Sequence, residues 1–502
     1  MSVYGALYSA VSGLKAQSTS MGIISDNISN ANTVGYKANS AAFSTLVTAP
    51  PSRGSYSPGG VLASTVQNID RQGLLQASAS GTDLAITGRG FFATASAVDA
   101  AGRVPLGVER LYTRAGSFNV DKSGNLINTA GGYLLGVPVA TGADPATVAL
   151  MPTANLTAIN VGSITGSARG TSTISLGANL PATDAVVTLA NVRMSNASGG
   201  AASNATDATL DIDSTTGGLQ TARTTSVLVY DSLGVAHNME LGFFKTSANT
   251  WEVFITKMTV AGKVGPTGKP VDSITGTETN SFVDAATGAI GEPLPGAVPA
   301  TLTGQLGTLN FNTDGSFASF TQGANSVLDQ TLGTAGIPLS AAGSTGAANL
   351  NPDITYGIAG TKSGITQNSD DFAVAFVNQD GIKFGYRTGV VIDEFGVVRA
   401  VFDNGQRLAV AKIPLVNFAN VNALQARNGN VYAETDDSGS ATTNYAYQGG
   451  VGSITPNAVE GSTVDLAEEF SDMIVTQRTY SANARTITTS DEMLAEVINL
   501  KR

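Results

Sequence analysis

Apolar side chains recur at heptad spacing at both ends of the chain, and this pattern constrains the fold more than any other feature of its 502 residues. Alternating steps of three and four residues place such positions on one face of a helix. At the N-terminus we predict a self-assembly surface formed by Val3, Leu7, Leu14, Met21, Ile24 and Ile28. At the C-terminus the corresponding positions are Leu466, Phe470, Met473, Tyr480, Ile487, Leu494 and Ile498. We therefore predict one long helix at each terminus, with the two helices paired as in a coiled coil.

The positions that flank the N-terminal stripe are uncharged and include Tyr4, Val11, Gly13 and Ser20. A two-stranded coiled coil usually selects its partner through ion pairs at such flanking positions. Small neutral flanks instead allow close approach on several sides, which favours a crowded array of helices from several copies. A core-facing helix pair within one monomer is the commoner use of such stripes, and the pattern leaves that alternative open.

The C-terminal helix carries signals for its start. The segment from Ser462 to Asp465 resembles a capping box, and Glu468 and Glu469 lie where the positive pole of the helix dipole would be. We therefore expect the helix to begin just after residue 462.

Between the two helices the chain alternates strand-like segments with turn signals, which predicts a mostly β protein with terminal α-helices. Thr225–Tyr230, Met239–Lys245 and Trp251–Thr256 are strand candidates, and Asp380-Gly381 and Asn404-Gly405 favour two-residue hairpin turns. The pattern is symmetric about its middle, as a nested multi-domain architecture would be. The predicted segments are residues 1–37 (N-terminal coiled-coil helix and signature segment), 38–65 (linker), 66–138 (inner β domain, first part), 139–367 (one or two inserted outer β domains), 368–457 (inner β domain, second part) and 458–502 (C-terminal coiled-coil helix).

Composition excludes several classes of function. Lys and Arg number 27 against 38 Asp and Glu, a net charge of −11, so the chain lacks the basic footprint that nucleic acid requires. The absence of cysteine rules out disulfides, thiolate metal sites and a Cys nucleophile. No apolar run of 18 residues is present, so no membrane insertion is expected. The first residues lack the basic and apolar regions of a Sec-type signal peptide, which fits either a cytoplasmic protein or one exported without a cleaved signal.

Motifs that could carry chemistry fail on inspection. His237 is the single histidine, which excludes a His-based metal cluster or catalytic triad. The segments 121–125 and 312–316 look faintly like calcium loops, but each lacks the Glu that would complete the ligand set, so we predict turns. In Gly262–Lys269 the glycine spacing of a phosphate loop is wrong, and Pro270 stands where the metal-binding Ser or Thr would be. We predict no catalytic, metal or cofactor site, and no enzymatic activity.

Several segments resemble the flagellar axial protein family, whose members form the rod and hook of bacterial flagella. The N-terminal signature lies in residues 12–17 (SGLKAQ) and 26–37 (DNISNANTVGYK), and the C-terminal block lies in residues 466–494. Further family blocks are residues 83–92 (DLAITGRGFF) and 112–118 (YTRAGSF). Interior features are similar to the hook members: residues 229–234 (VYDSLG), His237, residues 243–245 (FFK), Trp251 and residues 378–381 (NQDG).

The resemblance implies a self-assembling tube outside the cell. In the family, paired terminal helices line a channel, inner β domains form the wall and inserted domains lie outside. The tube transmits torque from the motor to the filament while it bends. The implied partners are further copies of the chain, rod, hook cap and hook–filament junction proteins, and the type III export apparatus. The alternatives are another axial component, such as a distal rod or junction protein, and a secreted β-rich glycan-binding protein or enzyme.

Overall fold

The computed structural model describes residues 3–46, 59–140, 142–186, 192–196, 208–212, 220–221, 223–264, 270–272, 305–323, 347–348 and 350–500. Strands form most of the regular structure, and one long helix lies at each terminus, so the predicted fold class is confirmed. The chain divides into two compact units. The first comprises Met1–Thr165, Thr388–Val401 and Arg407–Arg502, and the second comprises Gly166–Arg387 and Phe402–Gln406.

The first unit begins with helix α1 and ten strands. Their bounds are α1 Val3–Ser29, β1 Asn39–Leu46, β2 Gly60–Gln67, β3 Leu75–Ala77, β4 Leu84–Thr87, β5 Phe91–Ala95, β6 Arg110–Thr113, β7 Phe118–Val120, β8 Leu126–Asn128, β9 Tyr133–Pro138 and β10 Thr157–Ala158. Short 3-10 helices lie at Pro145–Thr147 and Thr153–Asn155.

Among the described residues, fourteen strands lie wholly within the second unit. They are β11 Gly166–Arg169, β12 Thr173–Pro181, β13 Val192–Asn196, β14 Ala208–Ile212, β15 Gln220–Thr221, β16 Arg223–Tyr230, β17 Ala236–Ser247, β18 Thr250–Val264, β19 Pro270–Asp272, β20 Gln305–Phe311, β21 Phe317–Gln322, β22 Asp353–Thr355, β23 Thr366–Asn368 and β24 Ala373–Gln379.

The remaining strands return the chain to the first unit, and helix α2 ends it. They are β25 Ile382–Ile392, β26 Val397–Phe402, β27 Arg407–Lys412, β28 Leu415–Asn417, β29 Gln425–Arg427, β30 Val431–Ala433, β31 Thr442–Asn444, β32 Ser453–Pro456, β33 Ala458–Glu460 and α2 Leu466–Leu500. A 3-10 helix lies at Val421–Ala423.

The central strands of the first unit's main sheet have both faces buried. Its strands run in the order β26-β27-β9-β5-β6-β30-β29. Successive side chains of a strand point to opposite faces, and the paired Phe91 and Phe92 accordingly belong to two different apolar clusters. Leu134 and Leu135 divide between the same two clusters. This explains why strands here read as continuous apolar runs rather than as alternating ones.

The second unit has one large apolar core. A six-stranded sheet in the order β16-β17-β18-β20-β21, with β19 on β18, and a sheet of β22, β12, β23 and β24 contribute to it. Trp251 lies in this core with 1% of its surface exposed, and its indole Nε1 donates to Gln367 Oε1 at 3.1 Å. The three strands predicted from residues 225, 239 and 251 onward are confirmed as parts of β16, β17 and β18.

A five-residue turn recurs in both units. In each case an Asp or Asn side chain accepts hydrogen bonds from the second and fourth following N–H groups, and a glycine with positive φ occupies the position between. The turns with this geometry begin at Asp99, Asp121, Asn128, Asp231 and Asp393. Only glycine adopts this positive φ without steric strain, so Asp/Asn-x-x-Gly-x marks these turns in the sequence. The predicted turn at 121–125 is confirmed.

Three expectations from the sequence need correction. Residues 38–65 are not simply a linker, because β1 and β2 pair antiparallel from Asn39↔Gln67 to Leu46↔Gly60, although residues 47–58 lie outside the described part. Serine, alanine and threonine dominate these strands and give little alternation to detect. The second unit also starts and ends later than the predicted 139–367, because β10 pairs with β9 in the first unit and β24 pairs with β12 in the second.

The third correction concerns Asp380-Gly381, which is not a hairpin turn. Strand β24 before it pairs with β12, and β25 after it pairs with β11. The carboxylate of Asp380 accepts from the backbone N–H groups of Ser172 and Thr173 at 2.8 and 2.9 Å. These bonds hold the segment that connects β24 to β25 against the start of β12. Asn404-Gly405 does lie in a hairpin, between β26 and β27.

Candidate assembly surface on the terminal helices

Helix α2 begins at a well-capped residue. Asp465 Oδ1 accepts from the N–H of Ala467 at 2.8 Å, and the Asp465 carbonyl accepts from the N–H of Glu469 at 3.0 Å. The N-cap is therefore Asp465 rather than the predicted Ser462, and Glu468 stands at the third helical position that a capping box requires. A capping box was therefore predicted correctly, but it lies one helical turn further along the chain than predicted.

Helices α1 and α2 pack against each other, and small residues form the buried face of α1. The buried positions include Ala10, Gly13, Ala16 and Ser20. A Cβ atom at Gly13 would come within 2.8 Å of Asn483 Nδ2 in α2, so the two helices approach closely at this point. The predicted pairing of the terminal helices is confirmed, and the small Gly13 and the polar Asn483 meet across it.

The predicted stripe residues divide into two groups. Ile24 is buried, and half-buried are Leu7, Leu14, Met21, Ile28, Met473, Ile487 and Leu494. Leu466, Phe470 and Tyr480 are instead 44%, 51% and 41% exposed. Val3 and Ile498 belong to the helices, but their side chains lie outside the described residues.

A second set of large apolar residues on the helices is exposed and was not predicted. In α1 these are Tyr4, Tyr8 and Val11, and in α2 they are Ile474, Val475 and Met493. Steps of four and three residues connect the three on α1, so they form a stripe of their own. The sequence did contain the signal, because the uncharged flanks of the first stripe include Tyr4 and Val11. We refer to these six residues, together with Leu466, Phe470 and Tyr480, as the apolar band; the name stands for the exposed large apolar side chains of the two helices.

A polar junction fixes the end of α1 beside the start of α2. The Asn27 side chain donates to the Asn39 carbonyl at 2.8 Å and to Glu469 Oε1 at 2.7 Å, and its oxygen accepts from the Tyr36 hydroxyl at 3.2 Å. Burial raises the pKa of Tyr36, and the charges of Asp26 and Glu469 add to that effect. Burial also raises the pKa of Glu469, although the hydrogen bond from Asn27 opposes it.

A buried ion cluster lies where both helices join the β structure. Glu460 pairs with Lys37 and also with Arg114, whose Nη1 lies 3.4 Å from Glu460 Oε2, and all three side chains are at most 4% exposed. The Glu460 carboxylate also accepts from the Gly73 N–H at 2.7 Å. Burial lowers the pKa values of both Lys37 and Arg114, while the charge of Glu460 raises them. This carboxylate therefore ties together the segments that follow α1 and precede α2.

Other candidate motifs occupy structural positions. His237 is fully buried, with Nε2 3.4 Å from Asp231 Oδ2, and burial lowers its pKa against the raising effect of that carboxylate. Part of Gly262–Lys269 lies outside the described residues. Within the described residues, no group of three or more His, Cys, Asp or Glu side chains could hold a metal ion. None of the described helices combines the length and apolar character needed to cross a membrane.

Four family models match parts of the chain. They are the Flagella basal body rod protein at residues 7–37, the Flagellar hook protein FlgE/F/G D1 domain at residues 85–173, the Flagellar basal body protein FlaE D2 domain at residues 196–382 and the Flagellar basal body rod FlgEFG protein C-terminal region at residues 455–500. A crystal structure of the Helicobacter pylori flagellar hook protein FlgE2 aligns with a TM-score of 0.41 and 14% identity, covering 76% of this chain and 98% of that one.

Full-length relatives confirm the resemblance that the sequence motifs indicated. The flagellar hook protein FlgE of Caulobacter vibrioides is 30% identical, with all of both chains covered. The flagellar hook protein FlgE of Rhizobium meliloti is 33% identical, again over all of both chains. This chain therefore belongs to the FlgE family of flagellar hook proteins.

Proposed function

We propose that this chain is the structural subunit of a flagellar hook and that it polymerises through its terminal helices. The observation that carries the proposal is the apolar band on α1 and α2. Phe470 and Val475 are 51% and 62% exposed, although the same helices have a partner within the chain. Exposed large apolar side chains in this number indicate a protein interface, and further copies of α1 and α2 offer matching apolar surface.

The family assignment supports the rest of the proposal. As a hook subunit, the chain would build a curved tube that passes torque from the rod to the filament. The second unit would lie on the outside, and export would use the flagellar type III apparatus without a cleaved signal. Rod, hook cap and hook–filament junction proteins would bind the ends of the polymer. Relatives that match over their full length are hook proteins, which favours this function over a rod or junction component and over a secreted glycan-binding protein or enzyme.

The test replaces one exposed apolar residue in each region by Asp. Phe470→Asp changes the apolar band, whereas Leu233→Asp changes a residue that is 49% exposed in the second unit and serves as the matched control. Burying an unpaired charge in a helix array costs several kcal/mol, so the critical concentration for polymerisation should rise about 100-fold or more for Phe470→Asp, which corresponds to roughly 3 kcal/mol. Leu233→Asp should polymerise like the wild type, and both monomers should melt as the wild type does. Normal tubes from Phe470→Asp would refute the role of the helices.

A further inference from the structure

Two exposed aromatic rings project from one place on the first unit. Phe395 lies in the turn between β25 and β26, and Tyr447 lies in the loop that precedes β32. Their ring centroids are 5.7 Å apart, and they are 50% and 59% exposed. The exposed Glu394 lies beside them and accepts from the Tyr447 hydroxyl at 3.3 Å. We call Glu394, Phe395 and Tyr447 the aromatic knob.

The backbone at Tyr447 is strained. Its φ is +66°, a left-handed conformation that aromatic residues rarely adopt. The other non-glycine residues with positive φ in the described part of the chain are Asn430 and Asn457, and asparagine tolerates this conformation far better. Strain of this kind persists where the surrounding loop enforces it, and it clusters at functional sites. Within the chain the Tyr447 side chain remains 59% exposed.

A cavity elsewhere in the first unit has the size to receive such a knob, and its lining mixes polar and apolar side chains. Its volume is about 680 Å³, within the range of ordinary ligand pockets. Lining residues include Val34, Tyr36, Ile69, Ala130, Val431 and Arg427. Among the residues that the structure describes, Arg427 has one loose partner: its Nη2 lies 3.7 Å from Glu109 Oε1, and both side chains are about half exposed. An ion pair of this kind contributes little to folding, so its cation remains available.

We propose that the aromatic knob of one copy inserts into this cavity on a second copy, with Glu394 of the first paired with Arg427 of the second. The inference rests on the proposed function, since it names a contact within the polymer. Knob and cavity are different surfaces of the same unit, so the contact is heterologous and repeats from copy to copy. Heterologous contacts that do not close into a ring generate helical assemblies, which is the symmetry a tube requires. The rings contribute apolar area, and the charge pair fixes the orientation.

Charge reversal tests the pairing directly, because every copy carries both residues. Glu394→Arg and Arg427→Glu should each raise the critical concentration for polymerisation about tenfold or more, since each places like charges together. The double variant Glu394→Arg/Arg427→Glu should return it to within about threefold of the wild type. Glu109→Gln is the control, because it removes the partner of Arg427 within the chain and should leave polymerisation unchanged. Single variants that polymerise normally, or a double variant that shows no recovery, would overturn the proposal.

Tyr447→Asn provides a second measurement that is independent of the charges. Because asparagine tolerates positive φ, the variant monomer should melt no lower than the wild type, while its critical concentration should rise. A variant that polymerises like the wild type would count against the knob. If the wild-type chain forms no tubes at all, the proposed function fails. If the wild type forms tubes and the reversals do not weaken them, only this inference fails.

Discussion

The core of the second unit and the terminal helix pair bury their large side chains to very different degrees. In the second unit, Trp251, Val253 and Leu309 have at most 1% of their surface exposed. In the helix pair, Phe470, Ile474 and Val475 are each more than half exposed, while Ala10 and Ser20 are buried. The core of the second unit therefore buries these large side chains within one chain, whereas the helix pair leaves comparable side chains exposed. We propose that the helix pair, rather than the core of the second unit, depends on other copies for burial of these side chains.

The largest difference in folding should appear between two deletion proteins that remove the second unit at different pairs of boundaries. Gly166 pairs with Tyr386, so the ends of a deletion of residues 166–387 lie side by side and a short Gly/Ser linker can join them. We expect this protein to keep a cooperative melting transition. A deletion of residues 142–364, near the boundaries predicted from sequence, also removes Ile159 and Val161 from a core of the first unit. Loss of two buried aliphatic side chains costs about 2–5 kcal/mol each, so this protein should not fold.

Circular dichroism and calorimetry will show whether each deletion protein has a cooperative melting transition. The units would not be separable if the 166–387 deletion also lost its transition. In that case the β structure would be one continuous core rather than two.

Truncating a single side chain should lower the free energy of unfolding far more in the core of the second unit than on the helix pair. Trp251→Ala empties part of the second unit's core and should lower its free energy of unfolding by about 3–5 kcal/mol. Val475→Ala trims a side chain that is 62% exposed and should change the free energy of unfolding of the monomer by less than about 0.5 kcal/mol. Urea denaturation of the monomer measures both values. A loss at Val475 as large as that at Trp251 would mean that α2 is already buried before assembly.

The ion cluster at Glu460 should matter to the first unit because it joins the two regions. Glu460→Gln keeps the shape of the side chain but leaves Lys37 and Arg114 buried without a counter-charge, which should cost about 3 kcal/mol or more. Arg427→Gln breaks an exposed pair instead and should change the free energy of unfolding of the monomer by less than about 1 kcal/mol. Thermal melts of the two variants provide the comparison. Equal, small shifts would show that the cluster does not hold the helices to the β structure.

The sequence predicted the elements with strong periodicity and missed those without it. Strands β16, β17 and β18 alternate or run apolar over many residues, and both helices have heptad stripes, so all five could be found. Strands β1 and β2 consist largely of small residues, and their pairing depends on packing against α1: Gly60 lies against Ser12, whose Oγ accepts from the Val61 N–H at 3.1 Å. Such a contact over long sequence separation leaves no local pattern.

The candidate surface was predicted in part for a related reason. A heptad stripe identifies which residues share a helix face, but it does not say which face the intramolecular partner covers. Gly13 and Asn483 decide that question through their close approach, and they place Phe470 and Tyr480 outside the pair. The packing of the two helices therefore decides which side is exposed. In the sequence, only the uncharged flanking positions of the N-terminal stripe indicated a second apolar face.

Amide hydrogen exchange, compared between monomer and polymer, tests the central claim most directly. In the monomer, peptides from residues 10–28 and 469–490 should exchange quickly, because the helix pair lacks a completed apolar core. In the polymer their exchange should slow by about 100-fold or more, corresponding to roughly 3 kcal/mol of added protection. Peptides from residues 227–255 in the core of the second unit should change little. Helix peptides that are equally protected in both states would contradict the account.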